Sequence, residues 1–162
     1  GCNLDVVELA NSVSSEHDCV RSWMIPCLME VLSNNKHHEM PHNLFDIGAV
    51  CVRDGSGKSE TGVSESTTLG IVISHDDADY TKVRQVLDYL LKCLGLDLGR
   101  IMYKESEHSS FITGRIASVS LDGKEIGFLG EVHPSVLEKW GLEAPVAALE
   151  INLSQLFEVV SE

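Results

Sequence analysis

Basic residues are scarce in this sequence, and their scarcity argues against one large class of function. Twelve lysines and arginines stand against 25 aspartates and glutamates, which gives a net charge of −13. Proteins that bind nucleic acid by themselves need clustered Lys and Arg to neutralise phosphates. We therefore expect any RNA contact made by this chain to be minor or indirect.

Long apolar runs are also lacking. No stretch approaches the roughly 20 apolar residues that cross a bilayer. The opening Gly-Cys-Asn-Leu-Asp has neither the basic nor the apolar region of a signal peptide. The sequence does not begin with Met, so we expect a piece of a longer protein. With 43% apolar residues, positions 1–162 are predicted to form one soluble globular domain.

Closely spaced cysteines are missing as well. The five cysteines stand at positions 2, 19, 27, 51 and 93, and no two form a Cys-x-x-Cys pair. An odd, widely spaced set argues against a disulfide framework and against a zinc site. Free thiols are typical of a reducing compartment, so we expect a cytoplasmic protein.

What is present is an alternation of strand and helix patterns. The predicted strands are Val6–Ala10, Asn43–Val52, Leu69–Ser74, Ile101–Lys104 and Val146–Ile151. The predicted helices are Trp23–Lys36, Asp79–Leu94, Ser135–Trp140 and a last one that opens at Asn152. Strands joined by hairpins, with helices packed on them, predict an α+β fold.

The segment Phe111–Trp140 carries the clearest local signal. Asp122-Gly123 favours a two-residue hairpin turn, because both positions require positive φ. Such a turn predicts three opposed pairs: Leu121 with Lys124, Val119 with Ile126, and Ala117 with Phe128. Pro134 then suits the first position of a helix, and Gly141 suits its end.

The first helix has an unusually wide apolar face. About 200° of its circumference is apolar, twice what one core contact needs; the residues are Met24, Ile25, Cys27, Leu28, Met29, Val31 and Leu32. One explanation is a helix between two layers of its own domain. The other is a subunit interface formed by Trp23, Ile25, Leu28, Met29 and Leu32. The interface hypothesis predicts that Leu28→Asp abolishes assembly and leaves the chain folded.

Candidate chemistry is weak by comparison. His37, His38 and His42 could bind zinc, but adjacent side chains point apart, and a solvated helix end explains them better. The acidic run Asp76–Asp79 suits a helix cap. Gly55–Ser59 ends like a phosphate-binding loop, yet Val52 stands where that motif has its first glycine. Arg21 and Arg115 are interpreted as salt-bridge partners. No catalytic, cofactor or metal residues are predicted.

A series of segments stands in a specific order and spacing along the chain: Ala10–His17 (ANSVSSEH), Val20–Trp23 (VRSW), Ile25-Pro26, Leu28–Asn35 (LMEVLSNN), Asn34–His38 (NNKHH) with Glu39 and Pro41, Leu44–Gly48 (LFDIG), Phe111–Ala117 (FITGRIA), Gly123–Pro134 (GKEIGFLGEVHP), Val136–Glu138 (VLE) and Gly141–Glu150 (GLEAPVAALE). In that order and spacing they resemble the beta subunit of phenylalanyl-tRNA synthetase, and Asn34–His38 resembles its archaeal/eukaryotic form. The resemblance spans nearly the whole chain.

This resemblance implies a catalytic-like domain with a class II synthetase fold, an antiparallel sheet flanked by helices. It implies pairing with the catalytic alpha subunit in an (αβ)2 heterotetramer, with the Trp23–Lys36 helix at the interface. ATP and magnesium are then expected elsewhere in the whole enzyme. Two arginines that would stabilise ATP phosphates are not recognisable here, since no full motif 2 is present and no Gly-x-Gly-x-x-x-Arg occurs. The resemblance therefore implies a non-catalytic scaffold.

Two other hypotheses remain open from the sequence. A stand-alone module that pairs with itself would also account for the apolar helix face. A metal-dependent hydrolase using His37, His38 and His42 is the third.

Overall fold

The structure, a computed structural model, describes residues 6–8, 18–55 and 59–161. Its strands are β1 (Val7–Glu8), β2 (Cys19–Val20), β3 (His42–Arg53), β4 (Val63–Ser74), β5 (Ile101–Glu105), β6 (Phe111–Leu121), β7 (Lys124–Val132) and β8 (Val146–Asn152). Its helices are α1 (Ile25–Asn34), α2 (Tyr80–Cys93), α3 (Pro134–Trp140) and α4 (Leu153–Ser161), with a 3₁₀ turn at Leu98–Arg100. Positions 9 and 10 of the first predicted strand lie outside the described residues.

Six strands form one sheet in the order β3-β4-β8-β7-β6-β5, and every neighbouring pair is antiparallel. This confirms the α+β prediction of an antiparallel sheet flanked by helices. The strand predicted at Leu69–Ser74 is longer than expected, since β4 pairs with β3 along twelve residues. Strands β3 and β5 are the two edges of the sheet.

The β6–β7 hairpin confirms the predicted turn and corrects the predicted register. Asp122 and Gly123 both have positive φ, and Leu121 pairs with Lys124. Ser120 pairs with Glu125, but the next residue away from the turn, Val119, pairs with Gly127. Ile126 is the extra residue of a β-bulge in β7, so the pairing shifts by one residue from there on. The predicted pairs Val119–Ile126 and Ala117–Phe128 are therefore wrong; Val119 pairs with Gly127, and Ala117 with Leu129.

Gly127 explains why the slip occurs in this place. A Cβ at Gly127 would collide with the carbonyl oxygen of Glu150 on the next strand, so only glycine permits this approach. The bulge places Ile126 in the core, where it is almost fully buried.

Each face of the sheet has its own apolar core. Helices α2 and α4 cover one face, through Val83, Leu87, Leu91, Leu156 and Val159. Helix α1, with Leu137 of α3, covers the opposite face, which we call the α1 face. Residues alternate between the two cores along β8, since Ala147 and Leu149 belong to the first and Ala148 to the second.

The helix ends follow the sequence signals. Asp79 accepts a hydrogen bond from the Lys82 amide at the start of α2, and Asn152 does the same for the Gln155 amide at the start of α4. Gly141 ends α3 in the left-handed conformation, with φ of 65°. None of the helices in the described part of the chain is long and apolar enough to span a membrane.

Candidate functional site

Helix α1 lies inside the chain rather than on its surface. Ile25, Leu28, Met29 and Leu32 are each at least 95% buried by the chain itself, and Trp23 is half-buried among other aromatic rings. A partner subunit could reach these four side chains only if α1 moved away from the sheet. That they contact a partner stays a prediction, and their burial does not favour it.

The wide apolar face of α1 has a local explanation. One side of the helix rests on β3, β4 and β8, and the other contacts α3. Gly70 of β4 brings the helix close, because a Cβ there would collide with Met24. The arrangement is the helix between two layers of one domain, which the sequence had left open. Val31 is the large apolar side chain of α1 that remains exposed, at 45%.

An exposed apolar surface lies on the other face of the sheet, at the β3 edge. Phe45 and Ile47 of β3 are 72% and 53% exposed, and Tyr89 of α2 is 72% exposed. With Ile71, Val86 and Leu90 they line a groove of about 570 Å³, which we call the β3–α2 groove. Helix α2 packs mainly against β7 and β8, and the groove lies between its Val86, Tyr89 and Leu90 and the strands β3 and β4.

The backbone beside this groove is also available for pairing. Arg21, which follows β2, covers the far half of β3, since its carbonyl accepts from Cys51 N and its Nε donates to the Ala49 carbonyl. Backbone N–H and C=O groups alternate in direction along a strand. Those of Phe45 and Ile47 therefore point away from β4, as do those of Ala49 and Cys51. In the described ranges no strand pairs with this end of β3. Apolar side chains and an open strand edge thus occur together.

A second depression surrounds Arg115 at the start of α2. Its volume is about 490 Å³, and its charged lining among the described residues consists of Asp76, Asp77, Asp79, Lys82, Arg115, Glu131 and Glu143. Both cations are engaged: Arg115 pairs with Glu131 at 2.6 Å, and the Lys82 ammonium donates to the Asp77 carbonyl at 2.7 Å. This confirms the salt-bridge interpretation of Arg115. Glu131 also accepts from the Tyr80 amide at 2.9 Å.

A buried carboxylate holds the N-terminus of α1. Oε2 of Glu150 accepts hydrogen bonds from the Met24 and Ile25 amides at 2.9 and 3.2 Å. Burial raises the pKa of Glu150 to about 7, although the two amides and the Arg21 guanidinium act to lower it. The helix has no side-chain cap of its own, so Glu150 supplies that contact from β8.

Arg21 links this carboxylate to the β3 edge. Its guanidinium pairs with Asp46 at 3.0 Å, as the salt-bridge interpretation predicted. It lies against Gly48, where a Cβ would collide with it. In the sheet, Asp46 is paired with Gly70, and Gly70 with Glu150. The two carboxylates therefore flank one glycine, with Arg21 beside them.

The three histidines of the zinc hypothesis, His37, His38 and His42, are not gathered into one group. His37 and His38 follow the end of α1, with ring centroids 4.3 Å apart and ring planes tilted by 39°, whereas His42 lies on β3 opposite Ser74. Among the described residues no group of three or more His, Cys, Asp or Glu is placed to hold a metal ion. The hydrolase hypothesis thus gains no support.

The sequence did contain a signal for the β3–α2 groove. Residues of β3 are apolar on both faces, with Leu44 and Val50 on one and Phe45 and Ile47 on the other. A strand at the edge of an antiparallel sheet needs only one apolar face, so the second apolar face marks an uncovered surface. That β3 is an edge could not be known before the strand order.

Comparison with known proteins identifies the fold. Two solved structures of pyrrolysyl-tRNA synthetase from Desulfitobacterium hafniense superpose on this chain with TM-scores of 0.74 and 0.73. Each match covers at least 96% of this chain and about half of that chain, at 16% and 18% sequence identity. The fold is that of class II aminoacyl-tRNA synthetases, as the resemblance implied.

Sequence comparison is more specific. The family described as "Phenylalanyl tRNA synthetase beta chain CLM domain" matches residues 3–153. Phenylalanine–tRNA ligase beta subunits from Pyrococcus abyssi and Methanopyrus kandleri are 40% and 38% identical over 154 and 150 residues. These matches cover 95% and 93% of this chain. The chain spans about a quarter of the length of these curated relatives.

Proposed function

Since this chain belongs to the family of phenylalanyl-tRNA synthetase beta chains, we propose that it is a non-catalytic scaffold that pairs with the catalytic alpha subunit. The longer protein to which it belongs is the beta subunit of phenylalanine–tRNA ligase. The whole complex charges tRNA-Phe with phenylalanine and consumes ATP. Residues 1–162 form one catalytic-like domain of the longer beta subunit. The complex acts in the cytoplasm, where translation takes place, and this domain meets tRNA only through the whole complex.

The exposed β3–α2 groove is the observation that carries this proposal. An apolar surface with two aromatic side chains 72% exposed is unusual on a protein that has no partner. Interfaces are commonly anchored by aromatic side chains in apolar surroundings. The open strand edge next to Phe45 adds backbone groups that a partner can pair with. The contact surface is therefore assigned to Phe45, Ile47 and Tyr89 rather than to the buried side of α1.

The charges around Arg115 support a non-catalytic role. The depression is lined by five carboxylates and by two cations that already have partners. ATP phosphates need cationic groups that are free to stabilise them, and this lining would repel them. This lining supports the proposal that ATP and magnesium are bound elsewhere in the whole enzyme.

A binding experiment tests the pairing directly. The unsubstituted chain, called the parent chain below, and the variant Phe45→Asp are each titrated with the matching alpha subunit in a calorimeter. Because Phe45 is exposed, its replacement should leave the fold intact and weaken binding by at least about 30-fold, as expected for an interface anchor.

Met102→Asp is the matched control. Met102 is 64% exposed and lies on β5, the opposite edge strand. The variant carries the same added charge and should bind as the parent does. Equal losses in both variants would contradict the groove as the contact surface. A folded parent chain that fails to bind alpha would contradict pairing through this domain.

A further inference from the structure

We propose that a small pocket at the start of α1 binds an uncharged aromatic ring. The pocket has a volume of about 150 Å³ and lies between the N-terminus of α1, the turn before β6, and α3. Its walls include Trp23, Phe111 and Trp140, with Pro26, Ser110 and Val136 beside them. It lies on the α1 face, opposite the β3–α2 groove.

The size and walls of the pocket fit one ring. A cavity of about this volume with apolar walls accommodates a benzene-sized molecule. Trp23 packs against Phe111 and Phe128 with ring centroids 6.3 and 5.9 Å apart, so the aromatic wall is built into the core. Aromatic walls favour an aromatic guest through edge-to-face contacts.

The polarity of the pocket narrows the ligand further. Among the described residues no charged side chain lines it, and Ser110 supplies the one side-chain hydroxyl of this lining. A free amino acid would leave an ammonium and a carboxylate without partners there. An uncharged ring is favoured instead, whether it belongs to a small molecule or to the side chain of a polypeptide.

The indole N–H of Trp23 lies beneath this wall. Nε1 is buried, with almost no accessible surface, and has no hydrogen-bond partner among the described residues. A ligand in the pocket does not reach this atom, so contacts with the ring carry the affinity. Benzyl alcohol and toluene, which share the ring and differ by one hydroxyl group, should therefore bind about equally tightly.

The chain has a reporter for this experiment. Its two tryptophans, Trp23 and Trp140, both line the pocket, so indole fluorescence and the indole N–H signals in NMR report on it directly. Titration with benzyl alcohol should shift both signals and saturate with a Kd on the order of 1 mM, as expected for a ligand of this size. Shifts at Phe45 and Tyr89 without shifts at the tryptophans would overturn the proposal.

Two further probes identify the source of the ring. N-acetyl-phenylalaninamide represents a side chain within a polypeptide, and free phenylalanine carries the same ring with two charges. Binding of both benzyl alcohol and the amide supports a polypeptide source, and binding of benzyl alcohol alone supports a small molecule. Binding of free phenylalanine as tightly as the amide would contradict the predicted exclusion of charge.

Matched substitutions complete the test. Val136→Phe fills the pocket from α3 and should weaken benzyl alcohol binding at least tenfold, while Val160→Phe places the same change on the exposed side of α4 and should leave binding unchanged. If Val136→Phe does not fold, the NMR shifts of the parent chain still decide the matter. Equal binding by the two folded variants would overturn the proposal.

Discussion

Among the carboxylates in the described part of the chain, Glu150 has an unusual environment, because it is buried and its pKa is raised. It is 7% exposed, and its oxygen is committed to the first amides of α1. A negative charge at a helix N-terminus is favourable, but burial disfavours the same charge. Because the pKa of Glu150 is raised to about 7, the effect of burial is larger than that of the helix N-terminus. The folded state of the chain is thus most stable when the Glu150 carboxyl that caps α1 is protonated.

The pH dependence of stability follows from this shift. The pKa of Glu150 is higher in the folded chain than the ordinary value of 4.5, so the folded state holds the proton at pH values where the unfolded state has lost it. The contribution of Glu150 to the free energy of unfolding therefore falls as the pH rises from about 4.5 to about 7, and stays level above that.

Glu150→Gln isolates that contribution. The amide oxygen can still accept from Met24 and Ile25 but cannot ionise. Relative to the parent, the free energy of unfolding of the variant should rise by roughly 2 kcal/mol between pH 5.5 and pH 8.5. Urea unfolding at a series of pH values measures the difference. Two profiles that run parallel would show that Glu150 does not titrate in this range.

At the scale of elements, α1 shows what a sequence pattern can and cannot decide. Its apolar width was visible in the sequence, but width does not say which layer covers each side. The cover comes from α3, whose last residue Trp140 accepts a hydrogen bond from Ser33, 107 residues earlier in the chain. A contact between such distant segments depends on the topology of the fold. The apolar periodicity of one segment gives no information about it.

Substitutions on two sides of α1 distinguish core from surface. Leu28→Asp places an unpaired charge in the core and should destabilise the chain by about 4 kcal/mol or more. Val31→Asp makes a similar change on the exposed side of the same helix and should cost less than about 1 kcal/mol. Chemical denaturation followed by circular dichroism compares them. A fully stable Leu28→Asp would restore the sequence-based hypothesis that this side chain is free to meet a partner.

Other elements were predictable because their signals are local. The ends of α2, α3 and α4 follow from Asp79, Gly141 and Asn152, each acting within its own turn. The hairpin turn follows from Asp122 and Gly123 in the same way. The bulge at Ile126 depends on how closely β8 approaches Gly127, so two of the three predicted pairs failed.

At the scale of the whole molecule, charge and apolar surface oppose each other. Two copies of a chain with net charge −13 repel, whereas two β3–α2 grooves with open strand edges attract. Salt screens the repulsion, because the Debye length falls from about 30 Å at 0.01 M to about 8 Å at 0.15 M. Apolar burial does not weaken in the same way.

The isolated chain is therefore expected to pair with itself more strongly as salt is added. Sedimentation of the chain at about 50 µM should show a monomer at low ionic strength and a growing dimer fraction toward about 0.3 M salt. Phe45→Asp should stay monomeric throughout, and Met102→Asp, with the same added charge on the other edge strand, should follow the parent. A dimer that dissociates on adding salt would show that charged groups hold the copies together. Such a result would argue against the groove as the surface that the chain offers to a partner.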